Sequence, residues 1–157
     1  MMQRWRRFRR LSGFERGIVL EAAAGLLISW LALRLLGFRA SRSVFEKLLS
    51  ARNAQHSKSG AADTLGVARR IAHLEAVTAT NLFLRTSCLE QSLVLCRMLR
   101  RRGMNADLHI GARKEANHFE AHAWVELTGT VIDSGGAEHL HFVPFEHSES
   151  PMETQTS

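Results

Sequence analysis

Between Ser87 and Asp133 the apolar residues change their period, and that change limits the folds open to the chain. Leu89, Leu93, Cys96 and Leu99 recur at three and four, the spacing of one helix face. Ala106, Leu108 and Ile110, and later Ala121, Ala123, Val125 and Leu127, alternate with polar residues, which is the spacing of strands. A helix followed by antiparallel strands gives an α+β fold with the helix laid on one face of the sheet.

The ends of that helix are legible. Thr86 and Ser87 suit an N-cap, and Glu90 falls three residues after Ser87, so S-C-L-E is a capping box. Arg100, Arg101 and Arg102 suit the negative end of the macrodipole, and Gly103 closes the helix in the left-handed conformation. Cys88 therefore occupies the first helical position. Free backbone N–H groups and the positive dipole end favour a thiolate there, and the same N–H groups can hold an oxyanion. Cys96, two turns on, falls on the packed face as a small hydrophobe. The two cysteines stand roughly 12 Å apart along the axis, too far for a disulfide. That pattern fits a reducing compartment, the cytoplasm.

A reactive cysteine needs a base. In the second strand His122, Trp124 and Glu126 share the face opposite Ala123, Val125 and Leu127. With Thr128-Gly129 as a two-residue turn, Leu127 faces Thr130 and Trp124 faces Asp133. His122 and Asp133 then become diagonal neighbours, roughly 7–8 Å apart in backbone, within side-chain reach. A helix start packed against this sheet would bring Cys88 to the imidazole, giving nucleophile, base and orienting acid. A slip of register would put Glu126 or Glu138 in place of Asp133.

The remaining segments bear on partners. The chain's excess of +6 lies wholly within residues 1–43, where nine Arg oppose only Glu15 and Glu21. An arm without Lys, followed at once by an apolar stretch, does not suit nucleic acid. That stretch, Gly17 to Phe38, is broken by Glu21 and Arg34, and its run from Ala22 to Leu33 is shorter than a bilayer span. It reads as a helix buried on its own domain or a partner, as one lying on a membrane surface, or, against its length, as a true span. Bulky Leu35, Leu36 and Phe38 give no signal-peptidase site. "SVFEKLLSARN" reads as a separate short amphipathic helix, residues 54–63 as a loop, and residues from Asp63, as N-cap, to Asn81 as another helix holding His73. "RKEANH", 113–118, reads as a polar connection, and "HLHFVPF" as a closing strand. His118, His139, His141 and His147 lack the cysteine or carboxylate company of a zinc site, so no metal or other cofactor is expected. This divides the chain into an N-terminal helical segment (1–60), a core (61–147) and a polar tail (148–157) expected to be disordered.

The run "CLEQSLVLCRMLRRRGMNADLHIGARKEANHFEAHAWVELTGTVIDSG" resembles the transglutaminase-like peptidases of lasso-peptide biosynthesis. The likeness lies in the CL-x-x-SL-x-L helix, the LRRRG exit, the L-x-I-G strand and the AHAWVE strand followed by a glycine turn and an acid. It is close over residues 65 to 135 and weaker at "FRRLSGFERGIVLEAA". The resemblance implies a papain/transglutaminase-like fold and removal of a leader from a ribosomally made precursor peptide. Cys88 matches the nucleophile, His122 the base and Asp133 the acid. It implies as partners the precursor, a separate leader-recognition protein and an ATP-dependent macrolactam synthetase. A transglutaminase-like acyltransferase or amidase on the same triad is the first alternative. A non-enzymatic scaffold binding a peptide or membrane is the second.

Overall fold

Two S-x-x-E boxes open two helices. At the first, Ser12 N–H donates to Glu15 Oε2 at 2.9 Å and Glu15 N–H to Ser12 Oγ at 3.2 Å. This cap starts the helix Gly13–Leu49 (α1). The computed structural model describes residues 11–49, 61–115, 118–132 and 142–144. The sequence divides α1 into an apolar helix and a separate amphipathic one. The structure runs a single helix through both, because no strong helix breaker stands between Phe38 and Ser43. A second helix, Ala61–Asn81 (α2), begins two residues before Asp63, which sits in its first turn and is not its cap.

Cys88–Arg100 forms the third helix (α3), with Ser87 at the N-cap and both bonds of its capping box made. Its far end closes as a Schellman motif. Met104 N–H donates to Leu99 O at 3.1 Å and Gly103 N–H to Arg100 O at 3.0 Å. The motif needs a left-handed residue, and Gly103 supplies it at φ 75°.

Three strands follow as a meander: Ala106–Glu115 (β1), His118–Leu127 (β2) and Thr130–Val131 (β3). Val143–Pro144 (β4) adds an edge, giving a four-stranded antiparallel sheet in the order β3-β2-β1-β4. Pro144 is tolerated there because an edge strand has one side free of ladder bonds. Positions 113–115, expected as a connection, extend β1 instead. Arg113 lies opposite Glu120, and the two form an ion pair at 2.6 Å, so polar side chains here serve the strand pairing. The turn between β2 and β3 has positive φ at both Thr128 (50°) and Gly129 (78°), the mark of a type I′ hairpin. Leu127 pairs with Thr130 and Glu126 with Val131, the register expected from the sequence.

One core joins all of this. Ile18, Ala22 and Leu26 of α1 pack with Ala68, Ile71 and Ala72 of α2, Val94, Leu95, Met98 and Leu99 of α3, and Ala106, Val125, Leu127 and Ile132 of the sheet. Each fully buried Ile or Leu contributes about 1.5–3 kcal/mol. The α1–α3 crossing is close: a methyl group on Gly25 would stand 3.0 Å from Val94 Cγ1. Of the helices, α3 makes the main contact with the sheet, along β2 and β1.

Candidate active site at the start of the third helix

The two cysteines of α3 sit in opposite environments. Cys96 is fully buried, and its Sγ lies 3.5 Å from Ala106 O. Burial pushes its thiol up to about 11, with nearby Arg100 opposing the shift and Asp107 adding to it. It remains a neutral core side chain. Cys88 is half-buried at the first helical position. Ser87 accepts the Glu90 N–H through its hydroxyl and the Gln91 N–H through its carbonyl. That leaves the N–H groups of Cys88 and Leu89 as the first-turn donors beside the thiol. The start is firmly held, since Gln91 Nε2 donates to Thr86 Oγ1 at 3.1 Å and Glu90 is buried while bonding back to the Ser87 N–H.

The direction of α3 follows from two contacts with the sheet. Ser92, one turn beyond Cys88, is buried and donates from Oγ to Ala123 O at 2.8 Å. Further on, Arg100 Nε donates to Ala106 O at 2.7 Å, and Ala106 pairs with Leu127. So α3 runs alongside β2 in the same sense, and its N-terminal end lies toward the half of β2 that carries His122. The Ser92–Ala123 bond joins the two elements one helical turn from Cys88 and one residue from His122.

His122 is half-buried, and its Nε2 is shielded from solvent. Its ring stacks on Trp124, with centroids 6.2 Å apart and planes 15° apart, and meets Phe142 at 5.1 Å. Trp124 is itself stacked on His109 at 5.7 Å, and the Arg113 guanidinium lies over Phe142 at 5.0 Å. Directly across from His122 stands Gly111, which presents no side chain to it. The imidazole therefore has aromatic walls, which fix its plane and keep water off. Trp124 is itself buried, at 3 % exposure. His109 and Phe142 were not foreseen as neighbours. The pairing of His109 with Trp124 could have been read from the strand register, but Phe142 arrives through β4, which no local pattern joins to β1.

Glu126, a rival for the acid position, is committed elsewhere. Its Oε1 accepts from Trp124 Nε1 at 3.0 Å, and its Oε2 lies 3.6 Å from His109 Nε2. Asp133 and Glu138 lie outside the described residues, which end on this strand at Ile132, whose N–H donates to Val125 O at 2.9 Å. Among the described residues no group of three His, Cys, Asp or Glu could hold a metal ion; His118 is exposed, and His139, His141 and His147 lie outside them.

No curated protein and no solved structure matches the chain. A family model described as the transglutaminase-like superfamily matches residues 32–146, most of the chain, including Cys88, His122 and Asp133. With a capped helix packed on an antiparallel sheet and that match across it, the chain belongs to the transglutaminase-like superfamily, which includes cysteine peptidases.

Proposed function

We propose that the chain is a cysteine peptidase that removes the leader from a lasso precursor peptide, with Cys88 as nucleophile, His122 as base and Asp133 as orienting acid. The observation that carries the reading is the start of α3. There a half-buried cysteine stands among unsatisfied first-turn N–H groups, at the end of the helix that the Ser92–Ala123 bond ties to the His122 strand. In this mechanism the Cys88 sulfur attacks the carbonyl carbon of the leader–core amide. The N–H groups of Cys88 and Leu89 hold the oxyanion, where each well-placed donor is worth roughly 10²–10³ in rate. The His122 imidazolium gives its proton to the leaving amine, freeing the core, and a thioester to the leader remains. Water, deprotonated by His122, opens the thioester and restores the thiol. Asp133 follows Ile132 directly in sequence and is assigned the acid's role from the hairpin register and the family resemblance. A separate leader-recognition protein and a macrolactam synthetase are the partners this reading requires.

The test is mass spectrometry of a precursor peptide incubated with the full chain and its leader-binding partner. Cleavage at one bond by wild type and Cys96→Ala, with none by Cys88→Ala or His122→Ala, is the expected result. Transfer of the acyl group to an added amine in place of cleavage would reassign the chain as an acyltransferase. Equal products from Cys88→Ala and wild type would overturn the catalytic reading.

A further inference from the structure

One face of α1 is explained by the core, and the opposite face is not. Ile18, Ala22, Leu26 and Ser29 are buried against the domain. Leu20, Leu27, Ile28, Leu31 and Leu35 are exposed by between 39 % and 78 %, and the exposed Gly17 and Ala24 lie among them. At 3.6 residues per turn these seven positions fall within an arc of about 100°, and from Gly17 to Leu35 they cover about 27 Å. No charged or hydrogen-bonding side chain interrupts the strip. By length and composition Gly13–Leu35 could cross a bilayer, yet only 22 % of its apolar window is buried in the protein, so it is not a covered core helix. Nor can it cross a bilayer while packed as it is. Its inner face carries the domain core, and its Glu15 and Glu21 are bridged to Arg70 of α2 and to Arg101 and Arg102 beyond α3.

The borders of the strip identify what covers it. On one side Glu21 and Ile28 adjoin a cleft they share with Arg97 and Met98. There Arg101 and Arg102 bond Glu21 at 3.3 and 2.7 Å, and Arg97 has a buried Nε without a hydrogen-bond partner. Two guanidinium groups thus pair with one carboxylate, and a third lines the cleft beside it. On the other side Arg34 lies over the Trp30 ring at 4.9 Å. An apolar strip between a row of arginines and an Arg–Trp pair is complementary to a bilayer surface: acyl chains beneath, anionic headgroups alongside, and an indole at the boundary. The five arginines within residues 4–10, with no acid among them, add to the same charge. We propose that α1 docks the folded domain on the surface of an anionic phospholipid bilayer, lying in the plane of the membrane with Leu20, Leu27, Ile28, Leu31 and Leu35 inserted. This contact is independent of the chemistry at Cys88.

The test is co-sedimentation of the full chain with vesicles of phosphatidylcholine alone and of phosphatidylcholine with phosphatidylglycerol. Wild type is expected to favour the anionic vesicles by roughly tenfold, a preference that added salt removes. The variant Leu20→Gln/Leu27→Gln/Leu31→Gln leaves the charge untouched, so any attraction by the arginines alone persists. Its partition to anionic vesicles is expected to fall by about tenfold or more. Wild-type binding to neither vesicle would overturn the proposal. So would unchanged binding by the triple variant, which would place the contact in the arginines alone. Loss of a wild-type dimer in the triple variant, with vesicle binding unmoved, would assign the strip to a second copy of the chain and also overturn it. A second measurement does not depend on the folding of that variant. Wild-type tryptophan emission should be quenched by brominated acyl chains, and Trp30→Phe should lose most of the quenching; no quenching in wild type counts against insertion.

Discussion

Cys88 and Cys96 share a helix, and the difference between them is made by burial and by position relative to the helix start. Iodoacetamide at pH 8 should label Cys88 in the native chain and leave Cys96 untouched, with both labelled in denaturant; peptide mapping by mass spectrometry reads this directly. Native labelling of Cys96 would contradict its full burial and its raised thiol. Ser92 is the other residue whose side chain acts beyond its own element. Ser92→Ala leaves the Ala123 carbonyl without its buried donor, which should cost about 1–2 kcal/mol in denaturant unfolding. It should also slow alkylation of Cys88 relative to wild type, and Ser92→Thr, which keeps the hydroxyl, should recover most of both losses. Equal stability of wild type and Ser92→Ala would show that the bond does not tie α3 to β2. The partner of Ser92 is 31 residues away, so no local pattern announces it.

Among the elements, the best-read were those specified by their own ends. The capping box of α3, the Gly103 closure and the type I′ turn each satisfy or direct backbone groups within a few residues, so the sequence carries the whole instruction. The turn retains one local conflict. Thr128 is β-branched and yet adopts φ 50°. Thr128→Asn places there a residue that tolerates this conformation, and should raise unfolding stability by about 0.5–1 kcal/mol without moving the register. A loss of stability would mean that the Thr128 hydroxyl, which donates to Leu127 O at 2.7 Å, outweighs the backbone conflict. The elements read less well were those set by what they pack against. The junction within α1 has no punctuation of its own. The polar end of β1 is a strand because Arg113 finds Glu120 across the ladder.

For the whole molecule, burial of one carboxyl shapes the pH dependence. Glu75 is 3 % exposed in α2, its Oε1 has no hydrogen-bond partner, and desolvation raises it from 4.5 to about 8. The folded state therefore holds a proton that the unfolded chain releases above its ordinary value, so stability falls as pH rises from about 4.5 to about 8. Glu75→Gln should flatten that slope and melt higher than wild type by about 4 °C or more at pH 8, with a smaller difference at pH 5. An unchanged slope would mean that the carboxyl is not buried alone. Glu15 acts at the other limit. The Arg70 guanidinium first, and Ser12 second, pull its carboxyl down to about 2. Its contribution is present above its ordinary value of 4.5 and is lost as pH falls through about 2.

The sequence by itself determined the α+β class, the helix start that presents Cys88, the hairpin register and the inert placing of Cys96. All of these rest on periodicity, capping and turn chemistry, which act over a few residues. Only the tertiary structure decided that α1 shares the core of the sheet domain while leaving a leucine strip outside. It alone set the Ser92 bond that aligns α3 with β2, and the aromatic surroundings of His122, drawn from two strands and from Phe142 at the sheet edge. These depend on surfaces that meet only after the chain has folded back, and contacts between distant residues leave no period in the sequence.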